Sequence, residues 1–530
     1  MIQSRTYQQS ASIALGLATL IAAYQPATSA QSVSHSTIQP SAFARVGSVD
    51  ERFQSYNIEM VEVTGGRFWK PYASKADTAP KSANQPAGLD PGLFQYRPPI
   101  NLTNTRLRKL TAALGPAYLR VSGTWANTTY FQNNDDTALA TPPKGFNGVL
   151  TRAEWKGVIE FSKAVNAKLV TSFATSMGTR DAAGNWTPTE AKVWVDYTKS
   201  IGGSIAAAEF MNEPNFASGG GVPQGYDAAA FGRDVTAFHA FQKQELPGMI
   251  FLGPGAVGEG TMIVPGNMKM LSSTDMLAAT GPAFDVFSYH SYGAVSSRCA
   301  MLGAAATTSP DAALSEDWLS RAGLAADYYI ALRDKTEPGK LIWNTETAEA
   351  ACGGDRWAST FLDSFRYLNQ LGSLAKRGVQ VNLHNTMASS DYGLLDEYTY
   401  QPRPNYWAAL LWHRLMGSTV LDPGPSPAPS LHLYAHCLPV KNGGVTLLAI
   451  NASRDQAQTL DIASPSRRYT LTAKSLDDKT VDLNGVELAL GNGDALPELN
   501  ATATRSGQVT LAPASITFFA LEKAGNASCR

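Results

Sequence analysis

The chain has 530 residues, of which 44% are hydrophobic and 16% charged, with a formal net charge of −1. That length exceeds one ordinary domain, and the composition excludes a disordered chain. The balanced charge carries no overall signature of nucleic-acid or membrane-surface binding.

The N-terminus reads as an export signal. Arg5 precedes the apolar run Ala11 to Tyr24, and Pro26 to Ala30 supplies small residues for cleavage after Ala30. The run is short for a membrane span, so residues 1–30 are expected to be removed and the mature chain to be soluble, secreted or periplasmic. Export permits disulfides. The four cysteines, Cys299, Cys352, Cys437 and Cys529, allow three pairings. Cys437 with Cys529 is favoured, because it ties down the last residues; whether Cys299 pairs with Cys352 stays open. No two lie close in sequence, which argues against a zinc site.

A Ser-rich stretch over 31–50 ends in a short apolar run that reads as an edge strand. An alternation then begins. Tyr56 to Val63 reads as a strand, Leu102 to Leu114 as a helix stopped by Gly115-Pro116, and Ala117 to Val121 as the next strand. Helix and strand continue at 154–166 and 168–174, 188–201 and 204–211, 231–244 and 249–252. They go on at 268–279 and 285–290, 315–335 and 340–345, 357–377 and 379–384, with a closing helix over 406–416. Eight strands alternating with helices predict an α/β fold, a (β/α)8 barrel over 51–420. Pro423 to Pro429 reads as a stiff linker. Beyond it, short alternating runs over 431–437, 445–451, 457–463, 468–473, 508–511 and 516–521 predict an antiparallel β-sandwich over 421–530, joined by the strand from 31–50.

Two carboxylates stand at predicted strand ends. Strand four closes on Asn212-Glu213-Pro214, where proline must end the ladder. Strand seven runs Leu341-Ile342-Trp343-Asn344-Thr345-Glu346, with Ile342, Asn344 and Glu346 expected to share one direction. In a barrel the C-terminal strand ends ring one cleft, and two carboxylates across a cleft are the machinery of glycoside hydrolysis. Gly253-Pro254-Gly255-Ala256-Val257-Gly258 fits a dinucleotide fingerprint in spacing but opens no helix. No G-x-S-x-G elbow occurs. His432 and His436 read as a satisfied surface pair, and Trp69, Trp125 and Trp343 as sugar platforms or core.

Four stretches carry a wider resemblance: Leu114 to Thr124, Asn212 to Phe216, Thr345-Glu346-Thr347 with Gly353-Gly354, and Tyr392 to Glu397 through Pro404-Asn405-Tyr406-Trp407 to Leu421. Through these the chain resembles glycoside hydrolase family 79, the heparanase and β-glucuronidase family. The resemblance implies Glu213 as acid/base and Glu346 as nucleophile. It implies Asn212 on the sugar 2-hydroxyl, Glu59 near the sugar hydroxyls, and Thr124, Tyr292 and Asn385 as contact residues. Gly353, Gly354 and Tyr392 match groups that hold a glucuronate carboxylate, and His290 reads as a hydrogen-bonder in the cleft. Two departures touch that pocket: Cys352 stands at the edge of a longer glycine run, and Ser390 replaces a glycine. The implied protein is a retaining, heparanase-like endo-β-glucuronidase on glucuronic-acid-containing polysaccharide or oligosaccharide such as heparan sulfate. It needs no metal or cofactor, no nucleic acid and no membrane, and works as an uncleaved monomer. An exo-acting β-glucuronidase is the alternative, and an inactive carbohydrate-binding protein a rival of another class. Lys70, Arg180, Arg298 and Arg356 are the scattered cations available to a polyanion.

Overall fold

A computed structural model of the protein describes residues 37–72, 90–260, 270–302 and 306–530. The expected export signal over 1–30 lies outside the described residues. Eight parallel strands close into a barrel: Gln54–Glu59, Ala117–Ser122, Ala167–Ser172, Ala207–Glu209, Ile250–Val257, Val286–Val295, Leu341–Ala351 and Val381–His384. They are called here the first to eighth barrel strands. The helices between them form for local reasons. Helix Arg152–Ala164, for example, opens on a reciprocal Thr151–Glu154 capping box and turns Trp155, Val158, Ile159 and Phe161 inward.

The barrel interior is built in layers. Near the N-terminal ends, Tyr118, Val170, Ala207, Leu252, Val286 and Trp343 form an apolar plug. Trp343 packs against Tyr118 with ring centroids 4.7 Å apart and the rings tilted by 45°, so it is core rather than a sugar platform. One step up each strand the layer becomes polar: Arg120, Glu209, Ser288 and Thr345. The next step up is the mouth.

Three sequence expectations change here. The first strand stops at Glu59, and Met60–Thr64 is a helical turn rather than more strand. The seventh strand runs on to Ala351, so Glu346 lies within it. Its alternation breaks as well. Asn344 sits 3.0 Å from Asn382, and Thr347 accepts from Gln370 on helix Phe361–Lys376, outside the barrel. Thr345 and Glu346 both point inward. A register shift between Asn344 and Thr347 delivers two consecutive inward residues, so Asn344 does not share a face with Glu346. Gly253 and Gly255 belong to the fifth strand and Gly258 directly follows it, in keeping with a glycine run that opens no helix. A Cβ on Gly255 (φ 71°) would come within 2.9 Å of Glu209 Oε1, so that glycine leaves the space which Glu209 fills.

The C-terminal region is a nine-stranded antiparallel sheet running from Ala44–Ser48 through Thr419–Asp422, Leu431–Cys437, Val445–Asn451, Ser515–Leu521 and Ser466–Thr472 to short edge strands. The Pro-rich 423–429 stretch joins two neighbouring strands of this one sheet, so it is a turn within the sheet and not an interdomain linker. Strands Gln458–Ile462 and Gly507–Leu511 pair and pack Leu460, Ile462, Val509 and Leu511 against one face of the sheet. Against the other face lies helix Phe361–Lys376. Gly372 makes this approach possible, because a Cβ there would strike the Tyr434 ring at 2.2 Å. Tyr434 donates to Asn369 Oδ1 at 2.7 Å. Disulfides join Cys437 to Cys529 and Cys299 to Cys352. His436 is buried on Gly417 O rather than lying at the surface, while His432 pairs with Glu316.

Candidate active site

The two glutamates meet at the barrel mouth. One carboxylate oxygen each of Glu213 and Glu346, with one ring nitrogen of His290, all lie within 4.8 Å of one another. Glu213 follows the fourth strand in the left-handed region (φ 48°, ψ 59°), where a residue with a Cβ costs about 1–2 kcal/mol. Its Oε1 lies 3.1 Å from His290 Nδ1. Burial raises the Glu213 pKa above the ordinary carboxylate range; the Glu346 charge adds to this, and the His290 hydrogen bond opposes it. Glu346 Oε1 accepts from the Tyr292 hydroxyl at 2.6 Å, and Oε2 accepts from Arg120 Nη1 at 2.7 Å. Burial keeps the Tyr292 phenol protonated, as a donor must be.

Arg120 organises the floor of the site. It is 1% exposed, and its Nη2 donates to Glu209 Oε2 at 2.9 Å and to Asn212 Oδ1 at 2.7 Å. Ser288 and Thr345 donate to Glu209 Oε1 at 2.8 and 2.7 Å. Burial alone would raise the Glu209 pKa, but Arg120 and His290 outweigh it and hold the group well below the ordinary range. For His290 the balance runs the other way. Burial favours the neutral ring, but the carboxylates of Glu346 and Glu209 lift its pKa to about 9. His290 Nε2 lies 3.3 Å from Arg120 Nη2. Both Nη2 hydrogens already serve Glu209 and Asn212, so this contact is two cations sharing Glu209 and not a hydrogen bond. Glu213, His290 and Glu346 have the spacing of a metal triad, but the imidazolium and the guanidinium already supply the positive charge such an ion would bring.

Glu59, Asn385 and Tyr392 join the same network. Asn385 Nδ2 lies 3.0 Å from Glu59 Oε1, 3.2 Å from Tyr292 OH and 3.3 Å from Tyr392 OH. Burial and then the Glu346 charge raise the Glu59 pKa well above normal. Among the described residues, Glu59 Oε2 and Asn385 Oδ1 are buried without a hydrogen-bond partner. Such atoms are costly unless a bound hydroxyl or water meets them. Glu59 lies against Gly123, where a Cβ would stand 1.4 Å from Oε2, and Gly123 leads directly into Thr124. Asn212, held by Arg120 through Oδ1, has no partner at Nδ2 among the described residues.

Beside this network the seventh strand is followed by three residues of positive φ, Cys352 (φ 65°), Gly353 (φ 85°) and Gly354 (φ 79°). Main-chain N–H groups of a glycine-rich turn are one means of holding an anion without a cationic side chain. The walls of this turn are close. A Cβ on Gly353 would fall 2.6 Å from both Ser390 Oγ and Trp69 Cβ, and one on Gly354 3.1 Å from Tyr392 Cβ. Neither departure noted in the sequence disrupts the turn. Cys352 is tied to Cys299, and Ser390 donates to Gly353 O at 3.0 Å. Arg298 braces it from below, donating to Gly354 O at 3.1 Å and pairing with Asp391. Of the other cations, Arg180 is spent on Asp234 with a side chain 1% exposed, while Arg356 stays exposed over Tyr72.

A model of the glycosyl hydrolase family 79 N-terminal domain matches residues 99–372, just over half of the chain. The chain belongs to glycosyl hydrolase family 79. It is 27% identical to a heparanase of Mus musculus over 496 residues, covering 81% of this chain and 88% of that protein. It is 26% identical to a hyaluronoglucuronidase of Hirudo nipponia over 482 residues, covering 83% and 93%. Among solved structures, a 4-O-α-L-rhamnosyl-β-D-glucuronidase from Fusarium oxysporum superposes with a TM-score of 0.61 at 14% identity, covering 92% of this chain and 99% of that one. At that identity the match speaks for the fold alone. The family-79 chain is a glycoside hydrolase of the glucuronidase and heparanase type.

Proposed function

We propose that this family-79 enzyme is an exported, monomeric, retaining β-glucuronidase that cuts within glucuronic-acid-containing glycosaminoglycan, as a heparanase-like endo-enzyme. The observation that carries the mechanism is the spacing of Glu213 and Glu346. One carboxylate oxygen of each lies within 4.8 Å of the other, a separation that favours the roughly 5–5.5 Å of retaining enzymes over the about 6.5–9.5 Å of inverting ones. Glu346 attacks the anomeric carbon while Glu213 gives its proton to the departing oxygen. Because Oε1 of Glu213 already accepts from His290, the proton to be donated sits on Oε2. Glu213, now ionised, takes a proton from water, and that water releases the sugar from Glu346. The glycine turn beside Tyr392 supports a uronate over a neutral sugar.

Sizing the products from heparan sulfate and hyaluronan, beside release from a chromogenic β-glucuronide, tests the mode of action. Rapid chain shortening with little monosaccharide supports endo cleavage. Free glucuronate with near-full-length polymer makes the enzyme exo-acting.

Two further results are expected. Gly353→Ala places a Cβ against Trp69 at a left-handed position, so KM for a β-glucuronide rises about tenfold or more while a β-glucoside is handled unchanged; an equal loss on both sugars contradicts the carboxylate cradle. His290→Ala removes a hydrogen bond and a charge that both lower the Glu213 pKa. That pKa therefore rises. The alkaline limb of kcat/KM, set by loss of the acid's proton, moves to higher pH. A limb that moves down in pH–rate profiles would show that Glu213 is not the acid.

A further inference from the structure

The Glu213 backbone is held from both sides by buried amides that do not belong to the catalytic pair. On one side, Asn127 Oδ1 accepts from Asn212 N–H at 2.9 Å, and Asn127 Nδ2 donates to Asn212 C=O at 2.9 Å. These two bonds fix the peptide planes flanking Asn212, the second of which joins it to Glu213. On the other side, Asn215 Oδ1 accepts from Val257 N–H at 3.0 Å and Asn215 Nδ2 donates to Val257 C=O at 2.7 Å. Both asparagines are 1% exposed. Each is anchored in turn. Asn127 C=O accepts from the N–H groups of Thr175 and Ser176 at 2.9 and 3.1 Å, and Asn215 C=O accepts from Leu271 N–H at 2.9 Å. The segment carrying Glu213 is thereby tied to the loops after the second and third strands and to the end of the fifth.

We infer that Asn127 and Asn215 are positioning residues that hold the Glu213 carboxyl on the departing oxygen. The inference rests on Glu213 being the acid/base. Glu213 keeps a left-handed backbone that a residue with a Cβ leaves unless its surroundings impose it. Relaxing it to an ordinary conformation swings the Cα–Cβ bond and takes the carboxyl away from His290 Nδ1. A side-chain amide that both donates and accepts across one residue imposes the conformation as a strand neighbour would. Neither amide contacts Glu213 Oε1 or Oε2, so each acts through the backbone.

The test uses aryl β-glucuronides with graded leaving groups, reading kcat/KM, which reports the step that breaks the glycosidic bond. A 2,4-dinitrophenolate departs without a proton; a 4-methoxyphenolate needs one. Glu213→Ala sets the benchmark, losing about 10²–10⁴-fold on the poor leaving group and little on the good one. Asn127→Ala and Asn215→Ala are expected to show the same signature, about 10–100-fold on the poor group and within about threefold on the good one, as for a misplaced catalytic group. Asn127→Asp, which keeps the acceptor and loses the donor, falls between wild type and Asn127→Ala. An equal loss on both leaving groups, or no loss, overturns the inference, and should Asn127→Ala fail to fold, Asn215→Ala decides it alone. A Glu213→Ala enzyme equally impaired on both groups, or a wild type that turns over no aryl glucuronide, overturns instead the reading on which the inference rests.

Discussion

Glu346→Gln is expected to lose about 10⁴–10⁶-fold in kcat on β-glucuronides whatever the leaving group, the scale on which removal of a covalent nucleophile is felt. The amide keeps the shape of the carboxylate and can still meet Tyr292 and Arg120, so binding should persist, with an unchanged fold by circular dichroism. The contrast with Glu213→Gln is the informative part, because loss of the acid spares good leaving groups and loss of the nucleophile spares none. For the wild type, NMR of the first-formed product should show the β-anomer before mutarotation. An α-anomer would make the reaction inverting and reassign Glu346.

The second large effect concerns stability as well as rate. Arg120→Met leaves Glu209, itself 0% exposed, without its guanidinium partner at the centre of the barrel, and only His290, 3.6 Å away, remains as a cation beside it. Removing one partner of a buried ion pair costs about 3–5 kcal/mol, because the other charge remains in a medium that cannot solvate it. Glu346 and Asn212 lose a donor in the same change, so activity should fall with stability. Urea unfolding of Arg120→Met, Glu209→Gln and the double variant checks this. The double variant should be less destabilised than the sum of the singles, and strict additivity would show that the pair is not coupled. The pH dependence follows from the direction of the Glu209 shift. Its folded pKa lies below its unfolded one, so its contribution is fully present above the unfolded value of about 4.3 and fades as pH falls further. Arg120→Met should therefore lose its disadvantage progressively in acid.

Much of this site was legible in the sequence because its residues sit where short patterns break. Glu213 ends an apolar run at a proline, and the apolar runs over 117–121, 168–174 and 379–384 correspond to strands buried on both faces. Glu209 was missed, since it sits inside the run that points to Glu213 and a single carboxylate in an apolar strand has no pattern of its own. Arg120 offered a usable signal: a charge in the middle of a buried strand must find a partner inside. The inward turn of Glu346 was expected from alternation, yet it arises from a bulge that breaks alternation. That bulge is set by pairing to the neighbouring strands, which no local window contains. The bonds of Asn127 and Asn215 have no local signature for the same reason, because their partners lie 85 and 42 residues away.

The helix Phe361–Lys376 has barrel on one side and antiparallel sheet on the other, and it is buried along nearly its whole length. Most helices of such a barrel keep one flank wet and polar. This one could not be exposed without baring Phe361, Leu362, Phe365, Leu368 and Leu371. The C-terminal sheet is thus part of the barrel's outer wall, sealed by a strand drawn from residues 44–48 before the barrel begins. A catalytic fragment cut at the Pro-rich turn would be an unsealed, adhesive body, and variants that loosen the sheet should be selected against by aggregation before any effect on chemistry is felt.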